Sequence, residues 1–81
     1  MVNTQAIFED IVSKILLLEK NQLNDDISRD DLEEWDSMTH LALISELEQA
    51  FDIILSDDEV TEIKTIGDVK RTLIKHKIKI L

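Results

Sequence analysis

The side chain best placed to do chemistry in this chain is the Ser37 hydroxyl, next to the carboxylate of Asp36 and three residues before His40. It falls where an acidic, turn-rich stretch gives way to a run with apolar residues at helical spacing, so it stands at a predicted helix start, exposed and reachable. His40 lies about one turn further on and invites a Ser–His nucleophile, but no third residue is in evidence to orient the imidazole. A surface histidine beside a docking site is the expectation for it. Asp25, Asp26, Asp30, Asp31, Glu33 and Glu34 invite calcium, yet the glycine and the spacing of an EF-hand loop are absent. A solvated loop, open to weak divalent binding, is the default. His40 and His76 form no closely spaced pair, so no transition-metal site is expected. The chain has no cysteine, hence no disulfide, no thiolate metal site and no thiol nucleophile of its own.

The elements that must position Ser37 are helical. Ile7, Ile11, Ile15 and Leu18 recur every three or four residues, widened by Phe8 and Val12, and predict a first helix over about residues 4–20, capped by Asn3 or Thr4 and ending at Asn21. Asn21 to Asp36 has no sustained period and is rich in Asn, Asp and Ser, which predicts one long ordered loop anchored by Leu23, Ile27 and Leu32. A second helix over residues 37–51 puts Met38, Leu41, Ile44, Leu47 and Phe51 on one face. Ile53-Ile54-Leu55 is an apolar link, and Ser56 with Glu59 fits a capping box opening a short third helix over residues 56–63. Thr65 starts a fourth helix over residues 66–76, in whose first turn Gly67 should matter little. The alternating tail from Ile74 to Leu81 is either a frayed helix end or an extended strand of chain. Trp35 is expected to be an anchor that packs the loop under the bundle, the alternative being an exposed partner contact.

Size and charge narrow the function classes. Eighty-one residues make one domain, 1–81, of a size that buries on the order of 60% of its unfolded surface, too little to wall off a deep catalytic cleft. Only three aromatics are present, so the core must be aliphatic. No apolar run approaches the roughly 20 residues of a membrane span, and no signal-like start is visible; a cytoplasmic monomer is expected. Residues 1–63 hold 17 acidic against three basic side chains, whereas residues 64–81 hold six basic against one acidic. That acidic body disfavours nucleic acid and favours basic protein surfaces.

Asp36-Ser37-Met38, followed by Leu41, Ile44, Leu47 and the close Glu48-Gln49-Ala50-Phe51-Asp52, resembles the Asp-Ser-Leu motif and second helix of acyl carrier proteins. The resemblance extends over nearly the whole chain, through the first helix, the acidic loop, the Ser56–Glu59 cap and the Thr65-Ile66 start. It implies an all-α fold, a four-helix bundle of the acyl-carrier type with a long first loop and a short third helix. It also implies a non-catalytic carrier: Ser37 would bear 4′-phosphopantetheine, transferred from coenzyme A by a phosphopantetheinyl transferase, and the thiol of that group would hold acyl intermediates as thioesters. Asp36 would cap the helix and push the phosphate-bearing arm off the surface. Asp36, Met38, Leu41 and Glu46 would face basic docking patches on acyl-loading and acyl-processing enzymes. Ile44, Leu47, Leu55, Val60, Ile63 and Ile66 would flank an acyl pocket, or be plain core.

Several residues depart from the pattern of central fatty acid carriers. Met38 stands for the usual leucine, Trp35 and Glu34 precede the aspartate, and Ala42, Ser45 and Gln49 thin the acids of the second helix. These features resemble stand-alone carriers of specialised pathways. The rival from another class is a small acidic helical adaptor that binds a protein partner, carries no cargo and tolerates Ser37→Ala.

Overall fold

The computed structural model describes residues 3–80. Its elements are α1 (Thr4–Leu16), α2 (Ser37–Phe51), α3 (Asp57–Glu62) and α4 (Ile66–Lys75), with no strand among the described residues beyond one isolated bridge. The architecture is an all-α bundle, with α1 and α2 as its long members and α3 short. Its core is aliphatic around two aromatics: Phe8, Val12 and Leu16 of α1, Leu43, Ile44 and Leu47 of α2, Ile63, Ile66, Val69 and Leu73 towards the C-terminus, and Trp35 from the loop are all buried. Burying each such side chain stabilises by about 1.5–3 kcal/mol. Ordering the chain opposes that gain.

Local chemistry sets the helix starts. Asn3 accepts from the Ala6 amide, Asp36 from Thr39, Ser56 from Glu59 and Thr65 from Asp68, and at the last two starts Glu59 and Asp68 return the bond to the cap amide. Each pairing satisfies amides that a helix leaves without partners.

The end of α1 differs from its expected position. Leu17 turns left-handed at φ 58, its amide and that of Leu18 both donate to the Ser13 carbonyl, and the helix stops at Leu16 instead of near Lys20. The turn leaves Leu17 in solvent and brings Leu18 against the core. Packing of Leu18 overrides the continuing apolar period. Lys20–Gln22 then forms a separate 3-10 turn, where Glu19 and Gln22 bond reciprocally.

The acidic stretch before α2 is ordered by two kinds of anchor. Leu23, Ile27 and Leu32 are partly buried against the core. A second 3-10 turn, Arg29–Asp31, is stitched to the start of α4: Ile66 N–H donates to Ile27 O at 3.0 Å, Gly67 N–H to Asp25 O at 3.0 Å and Arg29 N–H to Lys64 O at 2.8 Å. Gly67 therefore matters more than its place in a helix suggests, because a Cβ there would lie 3.1 Å from the Asp25 carbonyl oxygen.

The C-terminal tail is neither a frayed helix nor a free extended segment. Lys77 adopts φ 68, Ile78 N–H donates back to Leu73 O, and Thr4 donates its hydroxyl to the Lys79 carbonyl, so Ile80 is buried near the start of α1.

Candidate functional site

Ser37 is the first residue of α2 and is exposed. Asp36 takes the Thr39 amide at 2.8 Å, which leaves the serine hydroxyl free of capping duty. That hydroxyl makes no hydrogen bond among the described residues. The Thr39 amide holds the Asp36 carboxyl below the usual carboxylate range, with a smaller share from Met38. Unpaired amides and the positive end of α2 favour a negative group on the serine oxygen.

Immediately before the serine, Trp35 is an anchor: it is 2% exposed and lies in the core. Its indole N–H donates to His40 Nδ1 at 2.9 Å, and His40 Nε2 lies 2.9 Å from the carbonyl oxygen of Val60. Because an indole nitrogen only donates, Nδ1 must accept, so the proton sits on Nε2 and is given to Val60. Burial pushes the imidazole below its ordinary pKa, and the nearby Arg29 charge adds to this against the pull of the Val60 carbonyl. The expected surface histidine is thus a correction: at 4% exposure, His40 is an interior strut joining the loop, α2 and α3. The sequence signal for it is a lone tryptophan five residues from a histidine, since a buried indole needs an acceptor.

The second helix is also rotated relative to its expected stripe. Its buried face is His40, Leu43, Ile44 and Leu47, with Leu43 at 0% exposure, while Met38 and Leu41 stand 81% and 61% exposed. Neither Met38 nor Leu41 is core. Both are apolar surface within a turn or so of Ser37, and Glu46 lies half exposed on the same helix, 3.9 Å from Lys14. The six pocket candidates are brought together: Ile44, Leu47, Leu55, Ile63 and Ile66 are buried and Val60 packs against them. Glu48 closes the α2–α3 link by accepting from the Leu55 amide at 2.8 Å.

A cleft of about 430 Å³ opens beside the serine, lined by Ser28, Arg29, Asp30, Trp35, Asp36, Ser37 and Lys64. Sequence reasoning missed Arg29 and Lys64 because they are 35 residues apart in the chain. A larger, mostly apolar cleft of about 560 Å³ between the start of α1 and the tail shares no lining residue with it. Among the described residues no cluster of three or more His, Cys, Asp or Glu is arranged to hold a metal, and no helix is long and apolar enough to cross a membrane.

An exposed serine at a helix start, on a bundle of this shape, accords with the comparison to known proteins. Residues 6–73 match the family model described as the phosphopantetheine attachment site. The chain belongs to that family. Among solved structures it is similar to a Mycobacterium tuberculosis protein provisionally named an acyl carrier protein, with 27% identity, a TM-score of 0.79, and coverage of 91% of this chain and 99% of that one. No curated protein matches it. Phosphopantetheine-attachment domains are carriers, not catalysts, and 4′-phosphopantetheine is the group attached to them. Their general partners are phosphopantetheinyl transferases and biosynthetic enzymes. The residues around α2 fit such a group: an unbonded hydroxyl, a capped helix start and an open cleft.

Proposed function

We propose that Ser37 is the attachment residue and that this carrier serves a specialised biosynthetic pathway in the cytoplasm, as a monomer. The observation that carries the assignment is the division of labour at the start of α2. Asp36 satisfies the Thr39 amide, so the neighbouring hydroxyl is left exposed and unbonded. Once bound, the group supplies a thiol, which holds acyl or related cargo as a thioester and which the cysteine-free chain lacks.

The chain's own residues orient and recruit. The Trp35–His40–Val60 strut fixes the serine-bearing turn against α3. Met38 and Leu41 offer an exposed apolar contact, and Asp36 and Glu46 add the charge that attracts basic patches on the transferase and on loading or processing enzymes. Ile44, Leu47, Leu55, Val60, Ile63 and Ile66 are the residues among which an aliphatic cargo would be sheltered. The specialised role is supported by Trp35 before the aspartate and by the uncharged Ala42, Ser45 and Gln49 on α2.

Incubation with a broad-specificity transferase and coenzyme A should add one phosphopantetheine to the wild-type mass and none to Ser37→Ala. An unchanged wild-type mass would sink the assignment.

A further inference from the structure

Arg29 is the only basic residue between Lys20 and Lys64, in the most acidic part of the chain. Folding brings it to the next base along. The Ser28–Thr65 bridge and the bond from Arg29 N–H to Lys64 O hold the two backbones together, and both residues line the cleft that also contains Ser37. Lys14, Lys20, Lys70, Arg71 and Lys75 pair with carboxylates, whereas Lys77 and Lys79 of the tail make no ion pair among the described residues. Arg29 and Lys64 make no ion pair among the described residues, although Asp30 and Asp36 border the same cleft.

We propose that Arg29 and Lys64 form a seat for the phosphodiester that joins the prosthetic arm to Ser37. The inference rests on Ser37 being the attachment residue. Three considerations lead from the cleft to this occupant. A group tied to Ser37 is held beside a cleft that Ser37 itself lines, so its local concentration there is high whatever its intrinsic affinity. The guanidinium fork matches phosphate oxygens bidentately, with lysine as a second point charge. Asp36 repels the phosphate on one side, and the unpaired cations attract it on the other. Seating the root of the arm on the loop side leaves Met38 and Leu41 clear for partners.

The test compares amide spectra of the ¹⁵N-labelled full chain before and after modification, with intact mass as the check on loading. Shifts are expected at residues 28–30 and 64 as well as at residues 36–39, shrinking severalfold at about 1 M salt, where the screening length is about 3 Å. In the double variant Arg29→Gln, Lys64→Gln the shifts at residues 28–30 and 64 should disappear, while Ser37 still gains the group. The stitching bond between these residues is made by backbone atoms, so the unmodified variant should keep the wild-type dispersion. Full loading with shifts confined to residues 36–39, or shifts indifferent to both substitutions, overturns the seat alone. No mass gain in wild type overturns the attachment residue and the seat with it.

Discussion

Trp35 donates its indole N–H to His40 Nδ1 at 2.9 Å, and that bond fixes the tautomer with which His40 reaches the Val60 carbonyl. Long-range ¹⁵N–¹H spectra at pH 7 should therefore show His40 protonated on Nε2 and bare on Nδ1. His40→Leu would strand the buried indole N–H of Trp35 and leave the partly buried Val60 carbonyl without its partner, and should cost about 1–3 kcal/mol or more in denaturant unfolding, the cost of one unsatisfied buried group. A loss below about 0.5 kcal/mol would mean that the strut is not formed.

Acid should act on the bundle in two ranges. Because burial lowers the His40 pKa, the folded chain stays neutral there where the unfolded chain takes a proton. Its stability contribution is complete above about pH 6.5 and is lost as pH falls towards the folded value. Glu59 acts lower down. The Ser56 amide, with help from His76 at 2.9 Å, holds its carboxyl below the usual range, so its contribution is present above about pH 4.3 and lost below. Melting temperatures measured from pH 7 to 5 should decline in wild type and decline less in His40→Gln, while Glu59→Gln should flatten only the range below about pH 4.5.

Substitutions at exposed Leu41 and buried Leu43 should separate the proposed docking from stability. Leu43→Ala should cost about 2–5 kcal/mol, the usual range for a leucine lost from a close-packed core. Leu41→Ala, at an exposed position, should leave stability within about 0.5 kcal/mol and raise the KM of the transferase instead. Glu46→Lys should raise that KM severalfold at low salt and less at high salt, because the attraction it reverses is screened. Equal destabilisation by the two leucine variants would refute the rotated face of α2.

Much of this was legible in residue types and spacing, and the exceptions have causes. The caps at Asp36, Ser56 and Thr65 are local, made within three residues, so the sequence discloses them. The face of α2 is ambiguous because Leu41, Leu43 and Ile44 are consecutive or nearly so, and a polar His40 completes the buried stripe only through partners in the loop and α3. Long-range pairings left no local trace: Leu18 shortening α1, the tail returning to Thr4, and Arg29 meeting Lys64 all depend on residues distant in the chain.

Gly67 shows how a long-range contact reverses a local expectation. In an isolated helix, Gly→Ala stabilises by about 1 kcal/mol. Here the added methyl would press on the Asp25 carbonyl, which already accepts the Gly67 amide, and the loop would have to give way. Gly67→Ala should lower stability by about 1 kcal/mol, an overpacking cost exceeding the helical gain, and should speed hydrogen exchange at residues 25–27. A stabilised variant would show the loop to be loosely held.

The most direct test of the central claim is peptide mapping of the protein purified from its own host. One phosphopantetheine is expected, on the fragment containing Ser37 and on the serine itself by fragmentation. A bare Ser37 in cells with an active transferase, or the group on Ser28, Ser45 or Ser56 instead, would contradict it.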